Sequence, residues 1–218
     1  MAMVASTRVE SPGRFLKKVP TGSYVHVEAL PGSRNAAKSA VSRAAARGDL
    51  VPLRRGLYYK GTRTRYGVAT PPPEDVALEV LGRKGVGPTG VSAARALNLT
   101  TQVPAMPELV TTGPVPIGIP GVRIHKRNNV SRRDLTYSEI AVLEVLRDWE
   151  FTSESGWAGV VRAVRDKVAG NEVRLTSLLE AGGRERGTDF KDRLHKLTAA
   201  LVNAEPPSAA QPPGLGSA

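Results

Sequence analysis

Apolar and polar positions change their period along the chain. Between Arg34 and Arg47 the run is rich in alanine, without internal glycine or proline, and Ala37, Val41 and Ala44 share one face at 100° per residue. Ser33 before it suits an N-cap and Gly48 after it suits a helix end, so a helix is predicted over 34–47. Upstream, a helix is expected over 8–18, interrupted by Pro12 and Gly13; residues 23–27 read as a strand leading into a brief helix at 28–30. Downstream, residues 50–53, the turn Arg54-Arg55-Gly56 and residues 57–59 read as a β-hairpin. Helix, tight turn, second helix and hairpin is the order of a winged helix-turn-helix, expected over residues 1–67.

Residues 68–73 end in three consecutive prolines and read as an extended linker. Helices at 74–81 and 91–97, with strands at 109–112 and 122–125, predict a small mixed α/β block over 74–128. The polar, basic stretch 128–134 reads as a second linker. From Tyr137 the period is helical: Ile140, Leu143, Val145 and Leu146, then Trp157, Val160, Val161, Val164 and Val168. Two further stripes follow, Val173, Leu175, Leu178 and Leu179, then Phe190, Leu194, Leu197 and Leu201. Four amphipathic helices with short connections predict a helical bundle over 137–203, followed by a disordered tail at 204–218. The expected fold class is α+β and mostly helical.

Charge divides the chain further. The 218 residues carry a formal charge of +11, but residues 1–136 hold 21 basic and 8 acidic side chains, against 10 and 11 in residues 137–203. A cationic first part beside a neutral second part points to a polyanionic partner for the first. There is no cysteine, which excludes disulfide scaffolds, thiolate metal sites and thiol nucleophiles. No stretch reaches the ~18 apolar residues of a membrane-spanning helix, and residues 1–18 lack the apolar run of a secretory signal. The expectation is a cytoplasmic protein with no membrane partner.

On the helix over 34–47, Asn35, Ser39, Ser42 and Ala46 fall opposite the apolar face, flanked by Lys38 and Arg43. Small polar residues edged by cations let a helix approach a major groove closely, where Asn35 suits an adenine edge and Arg43 a guanine or phosphate. Arg34 and Arg47 stand at the helix ends, Arg54 and Arg55 at the hairpin tip, and Lys60, Arg63 and Arg65 beyond it. Residues 31–67 thus hold nine cations and one anion, Asp49. These residues form the expected DNA-binding set.

Other patterns carry less. Gly85-Val86-Gly87-Pro88-Thr89-Gly90 matches a dinucleotide fingerprint by letter, but a helix precedes it and Pro88 interrupts it, so a loop capping the next helix is expected. His26, His125 and His195 lie far apart with no acid beside them in sequence and read as surface or packing residues. Arg133-Asp134-Leu135 and Asp189-Phe190-Lys191 echo kinase motifs, but Glu139 stands where an asparagine belongs and Lys191 where a glycine does. No catalytic set, metal site or cofactor is expected.

Two segments carry a family resemblance. The first runs from Ser39 to Tyr58, Ser-Ala-Val-Ser-Arg-Ala-Ala-Ala-Arg-Gly-Asp-Leu-Val-Pro-Leu-Arg-Arg-Gly-Leu-Tyr; the second is Ser92-Ala93-Ala94-Arg95-Ala96-Leu97-Asn98-Leu99-Thr100-Thr101-Gln102-Val103-Pro104-Ala105. Together, and at this separation, they resemble the AbiEi-type (MenA-like) antitoxins over residues 20–128, with Asn98 where that family commonly has glycine. The resemblance implies an antitoxin that represses its own operon by binding double-stranded promoter DNA through a winged helix. It also implies a cognate toxin of nucleotidyltransferase fold, and it places DNA contacts at Asn35, Lys38, Arg43, Arg54 and Arg55. An atypical kinase-like antitoxin that phosphorylates its toxin, and a plain transcriptional regulator, remain alternatives. A monomer and a homodimer are both compatible with the sequence.

Overall fold

In the first half of the chain, capping residues set the helices. The structure, a computed structural model, describes residues 10–203, so the start of the helix expected from Arg8 and the tail expected at 204–218 lie outside the described residues. The chain divides into two units, Met1–Gly82 with Val115–Arg123, and Arg83–Pro114 with Ile124–Ala218. Both α-helices and β-strands are present, and helix predominates.

In the first unit, α1 (Pro12–Lys18) begins at the proline expected to interrupt it. Proline at the first helical position has its φ already set and no N–H to lose, so it starts a helix instead of breaking one. β1 (Ser23–His26) runs into a 3₁₀ turn at Val27–Ala29, and α2 (Arg34–Ala46) follows. Ser33 Oγ accepts the Ala36 N–H at 3.2 Å, the expected N-cap. At the other end Gly48 takes φ +70°, and the N–H groups of Gly48 and Asp49 donate to the carbonyls of Ala45 and Ala44. β2 (Val51–Arg54) and β3 (Leu57–Lys60) form the expected hairpin, and β3 also pairs with β1 in a sheet of order β1-β3-β2. Pro52 is tolerated because β2 is an edge strand.

The buried face of α2 is Ala37, Ala40, Val41 and Ala44, packed with Leu16, Val25, Val27, Leu30 and Leu50. Alanine on three of those four positions lets the helix sit close to its neighbours. Two unforeseen features flank the stretch read as a linker. A two-stranded ribbon, β4 (Arg63–Thr64) with β5 (Gly67–Val68), precedes it, and its last proline opens α3 (Pro73–Leu81).

The second unit contains a sheet of order β6-β7-β8, from Val86–Pro88, Glu108–Thr111 and Arg123–Lys126, and helix α4 (Gly90–Ala96). Its remaining helices are α5 (Tyr137–Thr152), α6 (Gly156–Ala169), α7 (Leu175–Gly183) and α8 (Thr188–Val202). α5 is the axis: it packs against β6, α4, α6, α7 and α8, and every residue from Glu139 to Leu146 is buried. Ala93, Ala94, Leu97, Leu99 and Val110 lie in the same hydrophobic cluster as Ile140, Leu143, Val164, Phe190 and Leu197. The segment around α4 and β7 therefore shares its core with the helices and does not close one of its own. Asn98 ends α4 with φ +56°, a left-handed position that asparagine tolerates better than most residues.

The glycine-rich run is a strand here, not only a loop. Gly87 lies in β6 so close to α5 that a Cβ there would stand 2.6 Å from Ile140 Cβ. Thr89 is the N-cap of α4, as expected, but its hydroxyl makes no capping bond and donates instead to Glu144 at 2.6 Å.

The expected second linker at 128–134 is largely exposed, with Asn128, Val130, Arg133 and Asp134 at the surface, but it carries one deeply buried charge. Arg132, in a 3₁₀ turn at Val130–Arg132, is fully buried. Its guanidinium donates to Glu144 and Glu185, each at 2.5 Å. Arg127 also donates to Glu144, at 2.6 and 3.1 Å, while Asn129 and Arg147 donate to Glu185. Burial alone would raise the pKa of Glu144, but the Arg127 hydrogen bond, the Arg132 charge and the Thr89 hydroxyl outweigh it and hold it at about 2. Local sequence does not show the burial of Arg132, because its partners lie far along the chain, on α5 and after α7.

Candidate nucleic-acid interface

The face of α2 opposite its core is open. Asn35, Lys38, Ser39, Ser42, Arg43 and Ala46 are all exposed, in the arrangement the 100° spacing predicts. The side chains of Lys38 and Arg43 have no hydrogen-bond or ion-pair partner among the described residues. At the β2–β3 turn, Arg54 pairs with Leu57 in register and Gly56 takes φ +83°, leaving Arg55 exposed at the apex. Arg54 is half-buried, and neither arginine is paired among the described residues.

The other members of the expected set are differently engaged. Arg34, exposed, comes within 3.8 Å of Glu28. Arg47 Nε donates to Asp49 Oδ2 at 2.9 Å, and Arg63 Nη2 donates to the Arg47 carbonyl at 2.7 Å while lying 3.8 Å from Asp49. Arg65 lies over the Tyr66 ring, 4.6 Å from its centre, in the exposed β4–β5 ribbon. Lys60 is the exception: its ammonium donates to the carbonyls of Leu16, Lys17 and Val19, at 3.0, 3.3 and 2.5 Å, closing the C-terminus of α1. Those are among the carbonyls a helix end leaves without intrahelical partners. Lys60 acts first as part of the scaffold.

Two cations that sequence reading passed over belong beside this set. Arg14 and Lys17, exposed on α1, line a groove together with Arg43, Arg47 and Arg63. Their signal was a three-residue spacing that puts both on one face of a helix read only for its boundaries.

The remaining candidates do not gather into a reactive centre. His26 Nε2 is 2.8 Å from Glu79, and His125 Nε2 is 2.9 Å from Glu108, so two of the three histidines do have acidic partners, brought by the fold rather than the local sequence. Phe190 of the second kinase-like triplet is a core residue, and Arg174 donates to the Asp134 carbonyl of the first. No group of three or more histidine, aspartate or glutamate side chains among the described residues could hold a metal ion. No helix among them is long and apolar enough to cross a membrane.

Comparison with known proteins adds a fold and a family. In structure the chain is similar to the Rv2827c protein from Mycobacterium tuberculosis, with a TM-score of 0.50 at 16% sequence identity, over 86% of this chain and 74% of that one. At that identity the likeness concerns the fold alone. No curated protein matches the sequence. The model of one family, described as a family of unknown function, matches residues 13–141, which include α2, the hairpin and the first turn of α5. With that much of its length inside the match, the chain belongs to the DUF6088 family.

Proposed function

We propose that α1, α2 and the β2–β3 hairpin form a winged helix-turn-helix that binds double-stranded DNA, with α2 entering the major groove and the Arg54–Arg55 tip meeting the backbone. The observation that supports this most is the two-sided character of α2. Its alanine-rich face is buried, while its opposite face presents Asn35, Ser39 and Ser42 between the cations Lys38 and Arg43, which are unpaired among the described residues. Side chains of that size allow close approach to base edges, and the flanking cations suit phosphates.

The wider role we infer is that of an antitoxin. On this reading the protein represses its own operon and neutralises a nucleotidyltransferase-fold toxin, the second unit serving neutralisation. The support is the likeness of residues 39–58 and 92–105 to AbiEi-type antitoxins, whose second segment here spans α4 and its left-handed end at Asn98. The cytoplasm is the compartment this role implies.

The test has two arms: binding of the full-length chain to a duplex carrying its own promoter, and rescue of growth against the adjacent gene product when expressed from an unrelated promoter. Binding with rescue is the expected outcome. Binding without rescue marks a plain regulator, and failure of both arms overturns the reading.

A further inference from the structure

A groove of about 690 Å³ runs between α1 and the C-terminal half of α2. Arg14 and Lys17 stand on the α1 wall, three residues apart, and Arg43 and Arg47 on the α2 wall, four apart. Those spacings put each pair on one face of its helix, one turn apart. Arg63 also lines it, and Asp49 is the one carboxylate among the described residues of the lining.

The cations are not equally available. Arg47 and Arg63 are shared with Asp49, and Lys60, also in the lining, is held by the α1 carbonyls. Arg14, Lys17 and Arg43 have no side-chain partner among the described residues. Three guanidinium and ammonium groups without partners among the described residues therefore face one groove, beside two further arginines held by Asp49. The apolar part of the wall is aliphatic, from Leu16, Ala40, Ala44 and Leu50, and no aromatic ring lines it among the described residues. A base has nothing to stack on there, whereas a chain of phosphates meets a charge at every turn of both walls.

We propose that this groove is a second phosphate track, holding the sugar–phosphate backbone of DNA on the α1 flank of α2. This rests on the duplex-binding reading and deepens it. At 100° per residue, Arg43 and Arg47 lie on the α1 side of α2, while Arg34 and Lys38 lie on the opposite flank. The duplex is thus gripped on both edges of the recognition helix, not only at the hairpin.

The experiment compares full-length wild type with R14Q/K17Q and with K18Q, measuring duplex affinity against salt. Lys18 is a control on the same helix, outside the groove lining and 2.7 Å from Glu10. The R14Q/K17Q variant is expected to bind every duplex about tenfold or more weakly at 0.1 M salt, with a log–log slope shallower by ~2, and K18Q to behave as wild type. If R14Q/K17Q binds as wild type does while R54Q/R55Q binds weakly, the track is refuted and duplex binding stands. If wild type binds no duplex, both fail. A third arm uses inorganic phosphate at constant ionic strength. Thermal stabilisation of wild type but not R14Q/K17Q, with duplex affinity unchanged between them, would assign the groove to a small phosphate ligand and overturn the proposal.

Discussion

Arg132 and Glu144 meet where neither reaches water: Arg132 Nη1 donates to Glu144 Oε1 at 2.5 Å, and their side chains are 1% and 0% exposed. Removing Arg132 takes a charged hydrogen bond from each of two buried carboxylates, Glu144 and Glu185, although Arg127 stays on the first and Arg147 on the second, and costs about 3–5 kcal/mol. Arg132→Met is therefore expected to lower unfolding free energy by that order in a urea titration. Glu180→Gln, which breaks an exposed pair with Arg184, is expected to change it by less than ~0.5 kcal/mol. Equal effects of the two would contradict the buried assignment.

The same carboxylate sets an acid limit. The folded pKa of Glu144, about 2, lies below its ordinary value of 4.5, so its contribution is present in full above pH 4.5. It is lost as pH falls from there through about 2, and amounts to roughly 3 kcal/mol. Glu139, also buried, is held down by Arg174 in the same direction. Urea midpoints between pH 7 and pH 2.5 should fall more steeply in wild type than in Glu144→Gln. Parallel curves would contradict the coupling.

Close approach predicts a pair of glycine substitutions with opposite signs. At Gly87 a Cβ meets Ile140 at 2.6 Å and the Tyr137 carbonyl at 3.0 Å, with β6 and α5 both fixed. Gly87→Ala is expected to cost about 3 kcal/mol. At Gly13, in α1, nothing lies within 4 Å, and Gly13→Ala is expected to stabilise by about 0.5 kcal/mol through helix propensity. Thermal melts of the two variants check both signs.

Lys60 and Arg55 separate scaffold from interface. Lys60→Met removes the hydrogen bonds on the end of α1 and is expected to lower stability by about 2 kcal/mol. Arg55→Gln, exposed at the turn, is expected to leave stability unchanged and to weaken duplex binding about equally for every sequence. A stability loss in Arg55→Gln, or none in Lys60→Met, would reverse these assignments.

What could be read from the sequence follows the range of the forces involved. α2 was legible because its stop signals are local: Ser33 caps it, Gly48 ends it, and alanines repeat with the helical period. The hairpin was legible for the same reason. β6 is not, because three residues hold no period and its one glycine, Gly87, serves a contact with Ile140, 53 positions away. The 128–134 segment is mostly solvated, as its polarity predicts, but the burial of Arg132 is not legible there, because Glu144 and Glu185, which neutralise it, lie far along the chain. On the candidate interface, the outer face of α2 and the hairpin arginines could be placed by arithmetic. The engagement of Lys60 and the alignment of Arg14 with Arg43 depend on tertiary packing, which local periodicity does not encode.

The affinity of the full-length wild-type chain for promoter duplex, titrated from low to high salt, bears most directly on the reading of α2 and its hairpin. Neutralising about six phosphates gives a log–log slope near −5. A slope of that size, reduced in R54Q/R55Q, is the expected result. No duplex binding, or an affinity indifferent to salt, would contradict a DNA-binding face on α2.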